Sequence, residues 1–300
     1  MYIRHLAFLG LAAIAAVWGN AAVATAAADP ADWSEPAKPF HIAGPIYEVG
    51  SKGLAAYLIV SPQGAILLDG TLAENVPGIE RNIESLGVPL RTVRILLNNH
   101  AHYDHAAGLA QIKRDTGARL LASAADRQAL EHGTPRGDTD YGVRRWPAAG
   151  VDDVVGDGQT IHLGPLALTA HLTPGHTPGC TSWSMTIDDR GTPREVLFLC
   201  SITVAGNLLV ANHAYPRIVP EFRATFAKLA TMHADIVLTG HPEMVKLYEH
   251  KAQADAGKPD AFVDRSALPA LVASSRADFE AELAKARKMN RRHARAKGST

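Results

Sequence analysis

The stretch Asn99-His100-Ala101-His102-Tyr103-Asp104-His105-Ala106-Ala107-Gly108 places four metal-capable side chains, three imidazoles and one carboxylate, within six residues. Imidazole suits zinc, copper, iron and nickel, and a mixed nitrogen and carboxylate set is typical of catalytic rather than structural sites. With 14 histidines in 300 residues, an ordered His-x-His-x-Asp-His is not expected from chance clustering on a solvated loop. Two more histidines stand in comparable places. His176 lies in the tight turn Thr173-Pro174-Gly175-His176-Thr177-Pro178-Gly179, and His241 lies in Thr239-Gly240-His241-Pro242.

These residues need elements to hold them. The apolar run Thr92 to Leu97 leads into the first loop and predicts a buried strand. Ala106 to Thr116, with Leu109-x-x-Ile112, predicts a helix stopped by Gly117. Ile236 to Leu238 reads as the strand that delivers His241. Upstream, His41 to Val49 reads as one strand. Leu54 to Val60 and Ala65 to Asp69 form a hairpin around Ser61-Pro62-Gln63-Gly64. Val76 to Leu86 has helical spacing, Arg119 to Ala122 is a strand, and Ala124 to Glu131 is a helix stopped by Gly133. Thr160 to Leu163 and Leu166 to Leu172 form a second hairpin, Pro220 to Met232 is an amphipathic helix, and Leu268 to Lys288 is helical. The order is β-rich, βαβ, β-rich, βαβα. It predicts an α/β (α+β) domain of two sheets packed face to face with helices outside. The segment Gly133 to Gly150 has no clear period; it either overhangs the site or simply connects across the surface. Asp69, ending a strand before Gly70, suits a turn or a buttress for a ligand loop better than direct ligation.

The first 28 residues read as a cleaved signal peptide. Arg4 and His5 make a short basic start, Leu6 to Trp18 is an apolar core, and Ala24 to Ala28 offers small-x-small cleavage sites. The apolar core is short for a membrane span. Residues 29–300 are then a single domain, exported to the periplasm and expected to be a monomer, with a basic, disordered tail from about 289. Thirty basic residues balance thirty acidic ones, so no global field points to nucleic acid or an anionic membrane as partner. An exported chain with two cysteines permits one disulfide. A hairpin centred near Arg190 sets Cys180 and Cys200, each ten residues away, opposite one another and within bridging reach. Two buried free thiols are the alternative.

Taken together, these residues resemble the metallo-β-lactamase superfamily, and within it subclass B3 metallo-β-lactamases. The resemblance rests on Pro39-Phe40-x-Ile42, the 98–108 stretch, Thr173 through Trp183, Cys200-Ser201-Ile202-Thr203-Val204-Ala205-Gly206-Asn207 and Gly240-His241-Pro242. It covers about Pro39 to His250. It implies an αββα sandwich and two zinc ions per chain. His100, His102 and His176 would hold one ion; Asp104, His105 and His241 would hold the other. Three protein ligands per ion leave an open position on each. Asp104 would also orient the nucleophile. Zinc lowers the pKa of bound water to about 7, so no Ser or Cys nucleophile is required. No Gly-x-Ser-x-Gly elbow is present, and no covalent acyl-enzyme is expected.

The reaction implied is hydrolysis of the β-lactam ring of penicillins, cephalosporins and carbapenems, conferring antibiotic resistance. One departure separates relatives. Glyoxalase II and the lactonases place a bridging Asp after the strand that here reads Val196 to Cys200, and this chain has Ser201 there. A hydroxyl cannot bridge two zincs as a carboxylate does. Ser201 and Thr203 match positions that touch a metal-side water or the substrate carboxylate. The alternative is an exported zinc hydrolase acting on a lactone or thioester; further off is a zinc-binding protein that keeps the ligands as a fold clamp.

Overall fold

The structure is a computed structural model and describes residues 28–297. The predicted signal peptide therefore lies outside the described residues, apart from Ala28. After a 3-10 turn at Ala31–Trp33 come strands β1 (Phe40–Ala43), β2 (Ile46–Glu48), β3 (Tyr57–Ser61) and β4 (Gly64–Leu68), then helix α1 (Val76–Ser85). Next are β5 (Val93–Leu97), α2 (Tyr103–Ala106), α3 (Leu109–Thr116), β6 (Arg119–Ser123), α4 (Ala124–His132) and β7 (Asp153–Val155). The second half holds β8 (Thr160–Leu163), β9 (Leu166–Leu172), β10 (Thr181–Asp189), β11 (Thr192–Leu199), α5 (Ile218–Leu229), β12 (Ile236–Thr239), α6 (Leu247–Asp255) and α7 (Ala267–Lys297).

The strands form a seven-stranded sheet in the order β1-β2-β3-β4-β5-β6-β7 and a five-stranded sheet in the order β12-β11-β10-β9-β8. The core between them joins Tyr57, Ile66, Leu68 and Leu97 of the first sheet to Trp183, Val196 and Phe198 of the second. Helices cover the outer faces. Ile79 and Ile83 of α1 and Leu109 and Ile112 of α3 pack on Leu58, Leu67 and Leu96. Phe222 and Phe226 of α5 pack their rings, tilted, against Phe279 of α7. This is the predicted αββα sandwich. Strand β5 shows why its sequence runs apolar without strict alternation: it lies between parallel neighbours β4 and β6, with Leu97 in the inter-sheet core and Leu96 in the helix layer. Among the described residues no helix is long and apolar enough to cross a membrane.

Four local readings change. The expected single strand 41–49 is two strands, because Gly44, at φ 49°, reverses the chain and pairs β1 antiparallel with β2. The expected helix 106–116 is broken at Ala107–Gly108, where the chain docks on the end of β4: Gly70 N–H donates to His105 O at 2.9 Å and Gly108 N–H to Thr71 O at 3.1 Å. Strand β7 and helix α6 carry too little period to be read. The tail expected to be disordered from about 289 continues α7 to Lys297, as its Ala, Arg and Lys composition favours helix and no Gly or Pro lies between Pro269 and Lys297.

The cysteine hairpin also differs in detail. Its turn is Arg190-Gly191, both at positive φ, so Asp189 faces Thr192 and Trp183 faces Phe198, one residue off the predicted register. A two-residue turn of this kind matches strand twist. Cys180 and Cys200 lie just past the ladder and are joined as a disulfide, with Cα atoms 5.9 Å apart.

Candidate metal centre and its cleft

The ligand-rich loop leaves β5 at its C-terminal end, where strand-end loops from both sheets meet. Asp69, at the end of the adjacent β4, shapes its start. One oxygen of this buried carboxylate accepts Asn99 N–H at 2.8 Å and the Asn98 amide at 3.0 Å, and the other lies 3.4 Å from His105 Nδ1. Asp69 therefore stands behind His105 as a buttress, and it orients that ring by its outer nitrogen.

The predicted ligands converge from three loops. His102 Nδ1 and His176 Nε2 face each other at 3.0 Å. The donor atoms of His100, His102 and His176 all lie within 4.8 Å of one another. On the other side, Asp104 Oδ2 is 3.3 Å from both His105 Nε2 and His241 Nε2, which are 3.2 Å apart. The sequence-predicted residues thus fall into two three-donor groups, with His100 also close to Asp104 and His105. Two nitrogens held ~2.0–2.1 Å from one tetrahedral zinc stand about 3.3 Å apart, so these separations fit metal ligation. A second observation agrees: both ring nitrogens of buried His100 lack any hydrogen-bond partner, which a buried imidazole does not tolerate without a further ligand.

Electrostatics favour the same reading. Burial holds His100 and His176 well below the ordinary histidine range and brings His102 to about 4. All three are neutral at pH 7, the form that donates a lone pair. Burial opposes charge on His105 and Asp104 too, but each outweighs it for the other. His105, beside Asp104 and Asp69, is raised to about 10, and Asp104 is held well below the usual carboxylate range. The His105 side of the basin is built to hold positive charge. His176 Nδ1–H donates to Thr203 O at 2.8 Å, which fixes the tautomer and leaves Nε2 free for the centre.

Close packing fixes His105 further. A Cβ on Gly240 would lie 2.4 Å from His105 Cε1, so only glycine lets the 239–242 turn approach. Trp33 packs on the outer side of His241, ring centroids 5.3 Å apart. His171, bonded to Ser184 at 2.7 Å, and exposed His213 lie outside this cluster.

Asp126 is a residue that spacing did not reveal. It is buried, at the third position of α4, where Ser123 Oγ caps the helix by accepting Asp126 N–H. Its carboxylate accepts Ala101 N–H at 2.9 Å, the Thr177 hydroxyl at 2.7 Å and Gly179 N–H at 2.9 Å. It pins the His100–His105 loop to the His176 turn. The only local signal was a Ser-x-x-Asp capping pattern, which says nothing of this role.

A cleft of about 550 Å³ opens over the centre. Its walls include Trp33, Tyr103, Tyr141, Arg144, Ser201 and Thr203 together with His102, Asp104, His176 and His241. Ser201 Oγ and Thr203 Oγ1 are 3.1 Å apart. The 133–150 segment does overhang the site. Asp140 N–H donates to Gly206 O and Leu208 N–H to Asp138 O, and this pairing sets Tyr141 and Arg144 on the cleft wall.

Fold and site together define two packed sheets with a metal-capable centre at the strand ends. The chain belongs to the metallo-beta-lactamase superfamily, whose family model matches residues 53–241. Among solved structures it is similar to BJP-1, a subclass B3 metallo-beta-lactamase of Bradyrhizobium japonicum, at 41% identity and TM-score 0.82, covering 86% of this chain and 98% of that one. Native FEZ-1 metallo-beta-lactamase from Legionella gormanii is 36% identical at TM-score 0.80, covering 85% and 98% of the two chains. Among curated proteins, a hydroxyacylglutathione hydrolase of Rhodospirillum rubrum is 32% identical over 113 residues, which are 38% of this chain and 35% of that protein. The chain thus spans about a third of the length of that relative.

Proposed function

We propose that the protein is an exported, monomeric, dizinc hydrolase that opens the β-lactam ring of penicillins, cephalosporins and carbapenems and so confers antibiotic resistance. His100, His102 and His176 would hold one ion, and Asp104, His105 and His241 would hold the other. When bound, zinc supplies a Lewis acid and a hydroxide nucleophile at neutral pH. The chain's own residues do the rest. Asp104, charged at pH 7, orients the nucleophile by accepting its proton in a hydrogen bond. Thr203 O fixes His176, and Asp69 fixes His105. Ser201 and Thr203 present hydroxyls to the substrate, while Trp33 and Tyr141 shield the reacting bond from bulk water. A single polypeptide domain from 29 to 300 follows removal of the leader, and the Cys180–Cys200 bridge suits an oxidising compartment such as the periplasm.

The observation that carries this reading is Ser201. It follows β11 and its hydroxyl lies beside Thr203 on the cleft wall, where a carboxylate would mark the thioester- and lactone-cleaving relatives. The similarity to subclass B3 structures over nearly their whole length supports it. The match to hydroxyacylglutathione hydrolases favours a second reading, an exported hydrolase of a thioester or lactone. Rates on nitrocefin and imipenem, against a thioester and a lactone, with and without a chelator, separate the two. β-Lactam turnover at background beside rapid thioester or lactone turnover refutes the first.

A further inference from the structure

Thirty basic and thirty acidic residues cancel over the whole chain, but not along α7. Its first half packs on the body through Leu268, Val272, Phe279 and Leu283, and Glu282 is its last acidic residue. Beyond Leu283 no described side chain of the helix is buried: from Ala284 to Ala294 all are exposed except half-buried Ala286. That stretch carries Lys285, Arg287, Lys288, Arg291 and Arg292 with no carboxylate among them. Arg287 and Arg291, and Lys288 and Arg292, set like charges one turn apart, which opposes helix formation. The helix dipole favours basic residues only within the last turn, and Lys285 to Lys288 precede that turn. An arm charged in this way and without a packed face is stabilised by an anionic surface laid against it.

Beside the arm runs an open groove of about 710 Å³. One stripe of α7, Glu282, Lys285, Met289 and His293, forms one wall, and Leu208 and Val210 stand on the other. Asp140, from the 133–150 segment, and Glu282 are the carboxylates on its rim. Large apolar side chains lie open here: Leu208 is 37% exposed and Met289 50%. Tyr141 and Val143, at 42% and 62%, follow Asp140 in the same segment. Among the described residues only Val154, on β7, is a large exposed apolar side chain elsewhere.

We propose that this face docks on an anionic phospholipid bilayer, with the basic arm at the headgroups and Leu208 and Met289 entering the acyl boundary. Basic residues beside exposed apolar ones suit a lipid interface, where charge meets phosphate and the apolar groups leave water. An exposed tyrosine at the edge of the patch fits the same interface. Charge alone would serve a nucleic acid equally well, but aliphatic side chains such as Leu208 and Met289 gain nothing from a phosphate backbone. The loop that carries Leu208 begins near Thr203 of the cleft wall, so docking keeps the cleft beside the bilayer surface.

The test is co-sedimentation of the mature protein with vesicles of phosphatidylcholine, alone or with phosphatidylglycerol at roughly 30 mol%. Wild type is compared with Lys288→Gln/Arg291→Gln/Arg292→Gln and with Leu208→Ser/Met289→Ser, changes confined to exposed side chains. Wild type should bind the mixed vesicles and not phosphatidylcholine alone, and raising salt from about 0.05 M to about 0.5 M should release it. The charge variant should bind about 100-fold more weakly, and the apolar variant about ten-fold more weakly. Equal binding of wild type to both vesicles, or a charge variant within about two-fold of wild type, overturns the proposal. An apolar variant that binds like wild type also overturns it, since the arm would then be a general polyanion site. Tighter binding of wild type to a random-sequence DNA duplex than to the mixed vesicles makes nucleic acid the partner instead.

Discussion

The Thr177 hydroxyl donates to Asp126 Oδ2 at 2.7 Å, and with the bond from Gly179 N–H it ties the His176 turn to a carboxylate that also holds Ala101 of the first histidine loop. Residues that lie 51 positions apart in the chain thus set the spacing between His102 and His176. Burial pushes the Asp126 carboxyl upward, and the three donated hydrogen bonds oppose that.

Asp126→Ala strands three buried donors, each costing about 1–3 kcal/mol. We expect a loss of at least about 3 kcal/mol in urea unfolding and a ~10–100-fold weaker metal affinity, the range for lost outer partners of metal ligands. Asp126→Asn, which keeps acceptor capacity, should lose less of both. Metal affinity that survives Asp126→Ala unchanged removes the pinning role.

Gly240→Ala forces a methyl to within 2.4 Å of His105 Cε1. The imidazole must shift, and the Asp104–His105–His241 group opens. The expected outcome is a fall in bound zinc from about two per chain toward one, read by metal analysis after dialysis. Two retained ions would show that His105 is not a ligand, or that the turn yields without moving it.

The Cys180–Cys200 bridge closes a loop across 20 positions. Chain-entropy arguments assign such a loop about 3 kcal/mol of stability. Cys180→Ser/Cys200→Ser should therefore lower the unfolding free energy by ~2–4 kcal/mol in urea titrations. A loss below ~0.5 kcal/mol would mean the hairpin and the core around Trp183 fix these strands without it.

Glu48 is buried, and burial raises its carboxyl from 4.5 to about 8 against hydrogen bonds from Gly50 and Ala56. Between those values the folded chain keeps a proton that the unfolded chain releases. The stability this group gives is complete below pH 4.5 and is lost as pH rises toward about 8. The slope is up to about 1.4 kcal/mol per pH unit. Glu48→Gln removes it, so the stability difference between variant and wild type should shift in the variant's favour from pH 5 to pH 7.5, when unfolding is followed at ~0.5-unit steps. A difference flat with pH would place the proton elsewhere.

Much of this was legible in the chain, for identifiable reasons. The two histidine loops and His241 show because metal-capable residue types cluster at the ends of strands, and those strands carry strong apolar runs. The sandwich shows because β-rich and βαβ stretches alternate. Asp126 and Arg144 do not show, because their partners come from other loops and nothing in Ala124–Ala125–Asp126 or Val143–Arg144–Arg145 marks them. The hairpin register slipped by one because sequence alone did not fix whether Arg190 or the Arg190–Gly191 pair formed the turn. The strand 41–49 was split by a single residue, Gly44.

The central claim is a metal-dependent opening of β-lactam rings by the His100–His105 loop with His176 and His241. Its most direct test is kcat/KM for imipenem and nitrocefin on the mature protein, alongside metal analysis of the same sample. The account predicts about two zinc ions per chain and values above ~10⁴ M⁻¹s⁻¹ that a chelator abolishes and added zinc restores. Background rates on every β-lactam, in a fully metal-loaded sample that turns over a thioester or a lactone, would contradict it.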